Sequence, residues 1–200
     1  MDINSAKETL KNISQEIIEN KEYLTDLDRE IGDGDHGYNM AKGFGLVNDA
    51  MDAEYNSMKE LFNKVAMTLI ANVGGASGPL YGTFFMKFAQ ALGEKTEITR
   101  EDFSKAFKEG VDGVKLRGKA NIGDKTMIDV IEPVSESLLD SSKNYNEVIS
   151  IAKKSMESTK NIKANKGRAA FLGDRSIGHL DPGACSSYLI IKCALEDING

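Results

Sequence analysis

"KEYLTDLDREIGDGDHGYNM", Lys21 to Met40, holds the choice between two folds. Gly32, Gly34 and Gly37 spell G-x-G-x-x-G, the turn that cradles a dinucleotide pyrophosphate in an α/β fold. That reading needs a β-strand ahead of the glycines. No strand pattern stands there: Leu24 continues an apolar stripe begun by Leu10, Ile13 and Ile17 at helical spacing. The turn is also acidic, with Asp33 and Asp35 among its glycines and Asp28 just before them. Carboxylates repel phosphate unless a cation lies between. Helix, acidic glycine turn and second helix together point to an all-α protein.

The rest of the chain repeats the helical period. Ser5 and Glu8 have capping-box spacing ahead of the first stripe. Met40, Phe44, Val47 and Met51 form a second stripe, and Met58, Leu61, Phe62, Val65, Leu69 and Ile70 a third. Leu80, Phe84, Phe85, Phe88 and Leu92 form a fourth. Thr99 caps a fifth helix carrying Phe103, Phe107, Val111 and Val114, ending near Gly118. A sixth holds Met127, Ile131, Val134 and Leu138, with Pro133 bending it or ending a turn; a seventh holds Val148, Ile151, Ser155 and Thr159. The eighth carries Cys185, Tyr188, Leu189, Lys192 and Leu195. Eight helices with no dividing linker are expected to make one domain over residues 1–200.

The 200 residues are 40% hydrophobic and 28% charged, as in an ordinary globular protein. A net charge of -6 argues against binding along a nucleic-acid backbone. No apolar run approaches the roughly 20 residues of a membrane span. The N-terminus, MDINSAKETL, lacks the basic and apolar regions of a signal peptide, so a cytoplasmic location is expected. Cys185 and Cys193 are too far apart along one helix to pair and read as thiols.

Glycine gathers in four inter-helix segments: 32–37, 74–78, 118–123 and 167–183. The last is too long and aperiodic for a plain connection. An EF-hand is excluded, because its required glycine would fall on Tyr38 and its bidentate Glu on Phe44. Hard oxygen ligands before a glycine turn and a helix start fit Mg²⁺ held between Asp28, Asp33, Asp35 and phosphate oxygens. His36 stands beside them, within reach of a phosphate or an acid. "VGGASGPLYGTFF" offers Gly74, Gly75, Ser77 and Gly78 as an anion cradle before a helix. It is no Walker motif, since no G-K-[ST] follows. Asp124 or Thr126 reads as the cap of the sixth helix. Arg168, Arg175, His179, Asp181, Pro182 and Gly183 occupy the last segment, where an arginine fork can clamp phosphate.

In this order, "IGDGDHGYNM", "GGASGPLYGTFF", "RGKANIGDKTM" and "LGDRSIGHLDPGA" closely resemble the nucleotide-binding L subunits of bacterial dihydroxyacetone kinases, over essentially the whole chain. The resemblance implies an eight-helix antiparallel barrel with nucleotide at one end. It implies two Mg²⁺ on Asp28, Asp33 and Asp35, and ADP (or ATP) contacted by His36, Gly37, Tyr38, Asn39, Ala76, Ser77, Gly118, Met127, Arg175, Asp181, Pro182 and Gly183. Adenine would rest against Met127 under a cover formed by 168–183. Arg175 and His36 are the expected catalytic side chains, Arg175 stabilising charge on the moving phosphoryl group. In the phosphotransferase-system branch, a phosphohistidine carrier (the M subunit) phosphorylates the bound ADP. The phosphoryl group then passes to dihydroxyacetone on a separate K subunit. The alternatives implied are an ATP-dependent kinase subunit, or a nucleotide-state regulator acting on a transcription factor. Neither direct nucleic-acid contact nor membrane binding is implied, and the K half is expected on a separate chain.

Overall fold

The computed structural model describes residues 1–199. Its α-helices are α1 (Ile3–Glu19), α2 (Lys21–Ile31), α3 (His36–Ala50), α4 (Met58–Asn72), α5 (Ser77–Leu92), α6 (Arg100–Gly118), α7 (Ile128–Leu139), α8 (Tyr145–Ser158) and α9 (Pro182–Asn199). Two 3₁₀ segments, Thr159–Asn161 and Arg168–Ser176, lie between α8 and α9. The described residues contain no β-strand, only an isolated bridge between Asp2 and Glu97.

The first stripe belongs to two helices meeting at Asn20, where φ of -88° and ψ of 10° leave the helical region and divide α1 from α2. Both α1 and α2 pack against α3 and α9, so the two occupy one wall of the molecule. From there α3 packs on α4, α4 on α5, and so on to α9, which returns to α1. The eight walls thus close into the barrel that the family resemblance implies, with α1 and α2 sharing one wall. Short connections make successive walls antiparallel.

Complete burial follows the apolar period. Ile17, Leu24, Met40, Phe44, Val65 and Leu69 all have 0% exposure. Midway down the barrel, Phe62 meets Phe88 edge to face at 4.8 Å and Phe84 meets Phe107 at 5.0 Å, a geometry that adds to the gain from area alone. Gly37 is needed for packing: a Cβ there would lie 2.0 Å from the Lys21 carbonyl oxygen, so α3 touches α2 backbone to backbone. Among the described residues, no helix is long and apolar enough to cross a membrane.

Three local readings differ. The α1 cap is Asp2, whose carboxylate accepts the Ser5 N–H at 2.8 Å, while the Met1 amino group donates to the Ile98 carbonyl at 3.0 Å. That pinned start places Ser5 inside the first turn, and no Ser5–Glu8 box forms. On α8 the buried face is Val148, Ala152 and Met156, whereas Ile151 and Ser155 are half-buried. Thr126 does serve α7, its hydroxyl accepting the Ile128 N–H at 3.1 Å, but Asp124 instead closes a turn onto the Asn121 N–H at 2.8 Å.

Candidate functional site

Alternating wall direction brings the N-termini of α3, α5, α7 and α9 to one end of the barrel, beside the C-terminus of α2. A cleft of about 900 Å³, open to solvent, lies among them. It is lined by Asp28, Asp33, Asp35, His36 and Asn39, then by Gly74 to Ser77, Leu80, Tyr81, Lys125 to Met127, Lys166 to Ala169 and Asp181 to Gly183. Each helix N-terminus presents free N–H groups and about half a positive charge. Four of them facing one cleft favour an anion.

The acidic turn supplies the opposite sign beside them. Asp28, Asp33 and Asp35 each bring a carboxylate oxygen to within 4.8 Å of the others. Asp28 is buried on the last turns of α2, and its Oδ2 accepts the Asp35 and His36 N–H groups at 2.9 and 3.1 Å. Gly32 permits this close fold, since a Cβ there would stand 1.9 Å from Asp28 Oδ1. Asp33 and Asp35 are exposed, and Gly34 turns the chain between them with φ of 73°. An all-oxygen set, one member anchored and two open to solvent, suits a hard divalent ion that keeps positions for water or phosphate. The donor set therefore fits Mg²⁺. The Arg168 guanidinium also reaches this group, 2.9 Å from Asp33.

Beneath the cleft a chain of hydroxyls joins three helices. His36 is buried, with Ser77 Oγ 3.2 Å from Nδ1 and Ser186 Oγ 2.9 Å from Nε2. Tyr81 stands 2.8 Å from both Ser186 and Ser187, and its hydroxyl donates to the Gly183 carbonyl at 3.2 Å. Burial lowers the His36 pKa to about 4, against the pull of Asp28, which leaves the ring neutral. Asp181 caps α9 by accepting the Ala184 N–H at 2.7 Å. Burial pushes the Asp181 pKa up to about 7; the Ala184 N–H and Lys125 oppose this, while Asp129 and Asp28 reinforce it.

A pH dependence follows from Asp181. Its folded pKa is raised above the ordinary carboxylate value, so between about pH 4 and 7 the folded protein holds a proton that the unfolded chain releases. The stability this contributes is complete below pH 4 and falls as pH rises through 7, by up to about 1.4 kcal/mol per pH unit. Asp181→Asn, which keeps an oxygen cap, is expected to flatten that slope in ligand-free protein unfolded by denaturant at stepped pH. Equal slopes in the two proteins would refute this burial argument.

A family model described as the DAK2 domain matches residues 30–196. The chain belongs to this family. The ADP-binding subunit of the PEP-dependent dihydroxyacetone kinase of Escherichia coli is 50% identical to it over 179 residues, covering 86% of this chain and 85% of that one. The corresponding subunit of dihydroxyacetone kinase 1 of Listeria innocua is 43% identical over 190 residues, covering 94% and 92%. Among solved structures, the native dihydroxyacetone kinase of C. freundii superposes with a TM-score of 0.77 at 25% identity, over 95% of this chain and 34% of that one. The same kinase in complex with AMP-PNP and Mg²⁺ gives 0.75 at 26% identity. This chain therefore spans about a third of those kinases.

Within this DAK2 domain, most of the expected residues face one cleft: the three acids, His36, Asn39, Ala76, Ser77, Met127, Asp181, Pro182 and Gly183. Four do not line it. Tyr38 turns outward, its hydroxyl donating to Glu22 at 3.2 Å with Lys21 over its ring. Gly37 is consumed by the α2–α3 contact, and Gly118 ends α6, where a Cβ would meet Leu80 of the cleft wall at 3.3 Å. Arg175 is exposed near the far end of the 3₁₀ segment from Arg168, beyond a kink at Gly173 with φ of 58°. Arg168 reaches the acids instead. Lys125, Tyr81 and Ser186 had no sequence signal: each sits within a helical stripe or a glycine turn, and burial alone distinguishes them.

Proposed function

We propose that the chain is the ADP-binding subunit of a PEP-dependent dihydroxyacetone kinase, one domain over residues 1–200, working in the cytoplasm. The supporting observation is the juxtaposition of a three-carboxylate cluster with four helix N-termini at a single cleft. One element holds cations and the other holds anions, which is what a metal–nucleotide complex requires. The relatives named as ADP-binding subunits match over nearly their whole length, which favours this reading over a self-sufficient ATP-dependent kinase.

In this reading, Asp28, Asp33 and Asp35 hold two Mg²⁺, which when bound would neutralise the diphosphate and polarise the transferring group. The N-termini of α3 and α5, with Ser77 and Asn39, hold phosphate oxygens. Met127 and Leu80 give the base an apolar wall, and the segment from Lys166 to Ala169 excludes water at the mouth. Arg168 is placed to meet phosphate. Arg175 serves the moving phosphoryl group only if the cover turns about Gly167 and Gly173, both at positive φ.

The phosphoryl donor is a phosphohistidine carrier and the acceptor is dihydroxyacetone on a K subunit, both docking at the cleft end. The exposed Phe171 and Ile177 on the cover, at 90% and 47%, supply apolar contact for that docking. A ligand bound only by the folded state stabilises by about 4 kcal/mol at a thousandfold excess over its Kd. For a chain of this size that raises Tm by roughly 10 °C. A scan with ADP should show this rise with Mg²⁺ present and lose it with a chelator. No rise with Mg²⁺ and ADP would exclude the nucleotide reading.

A further inference from the structure

A lysine in the wall of a nucleotide cleft ordinarily reads as a phosphate ligand. Lys125 is in that wall, yet it is only 1% exposed and its ammonium is already saturated. Nζ donates to the carbonyls of Ile162 at 3.2 Å, Ser176 at 2.6 Å and His179 at 2.6 Å. An ammonium has three protons and no acceptor, so none is left for a ligand. Its backbone is held at φ of 60°, an uncommon region for a residue with a side chain.

The three acceptors share one feature. Ile162 begins, and Ser176 and His179 end, the excursion that carries Lys166, Gly167, Arg168 and Ala169 to the mouth of the cleft. One cation thus closes the neck of that loop. Neighbouring bonds reinforce the same junction: Asn165 N–H to the Asp124 carbonyl at 3.1 Å, and Gly178 N–H to the Lys160 carbonyl at 2.8 Å. Burial draws the ammonium pKa down, while Asp181 and Asp129 draw it up. We infer that Lys125 is a positioning residue that fastens the 162–179 segment across the cleft and thereby sets how slowly bound nucleotide leaves. The inference rests on the proposed nucleotide function for its ligand, but the fastening itself does not.

The test uses the whole chain with Mg²⁺ and a fluorescent ADP analogue displaced by excess ADP. Lys125→Met keeps the length of the side chain, removes the charge and leaves three carbonyls without their donor. Dissociation of the analogue should quicken by about tenfold or more, while its association rate changes little. Amide exchange should quicken across 160–181 and stay unchanged in α4 and α5, which a general loss of stability would not produce. Lys125→Arg, which keeps the charge, should restore part of the slow dissociation.

Unchanged dissociation in Lys125→Met, or faster exchange without faster dissociation, overturns the inference. If the wild-type chain holds no ADP analogue, the nucleotide reading fails by itself, and the exchange pattern still decides the fastening. Should the variants not fold, the wild-type protein supplies a direct reading. A triply bonded, buried ammonium should give a resolved, slowly exchanging ¹⁵N-lysine NH₃⁺ resonance, and the lack of any such resonance would overturn the inference.

Discussion

Asp33→Ala is expected to weaken Mg²⁺-dependent ADP binding by at least about a hundredfold while leaving the helical signal intact. Even outer partners of metal ligands typically cost ten- to a hundredfold when removed, and a ligand should cost no less. The fold should survive because Asp33 is an exposed turn residue, outside every buried stripe. Its ion pair with Arg168 is largely solvated and contributes little to stability. Asp33→Asn is the finer probe, since it keeps an oxygen and loses the charge. Asp28→Ala is the less clean experiment: Asp28 also binds the Asp35 and His36 N–H groups and organises the turn. Calorimetric titration of ADP into Asp33→Ala with and without Mg²⁺ gives the answer. Wild-type affinity with wild-type Mg²⁺ dependence would end the metal-bridge account.

A second large effect concerns catalysis by the isolated chain. Purified protein with Mg²⁺-ATP and dihydroxyacetone should give no sustained turnover, and adding the K subunit with a phosphorylated carrier should restore it. The cleft has carboxylates suited to metal and N–H groups suited to an anion but no spare base for a sugar hydroxyl. Asp28, Asp33 and Asp35 are assigned to metal, and His36 has both ring nitrogens engaged by Ser77 and Ser186. Asp181 caps α9. His179 lies 3.6 Å from Glu30 and does not line the cleft. Rate enhancement in the assembled complex would come from positioning and charge stabilisation. Steady formation of dihydroxyacetone phosphate by the lone chain would refute the division of labour.

How far the site was legible in the chain can be judged residue by residue. The acids were legible as a cluster, but alone they also read as ordinary turn residues, and only the glycine turn and helix start beside them pointed to a cation. Ser77 read as part of a loop ahead of a helix and Pro182 as part of the 167–183 segment, whereas each is the first residue of its helix, α5 and α9. The residue pattern did not rank Arg168 against Arg175 and the resemblance chose Arg175, whereas it is Arg168 that lines the cleft and pairs with Asp33. Tyr38 fell within a motif yet faces Glu22, because the helical turn of 3.6 residues points only part of the first turn of α3 at the cleft.

The sequence by itself determined the class of fold and the chemical kind of site. Apolar residues at helical spacing force amphipathic helices that must bury a face, and short connections between them favour antiparallel neighbours. The acid and glycine pattern likewise points to hard-ligand and anion chemistry. Only the tertiary structure decided the rest. Closure of α9 onto α1 gathers four helix N-termini around one cleft. The same closure buries Lys125 against three carbonyls from a segment remote in sequence. Such contacts depend on where distant backbone atoms come to rest, and a local pattern of side chains carries no record of that.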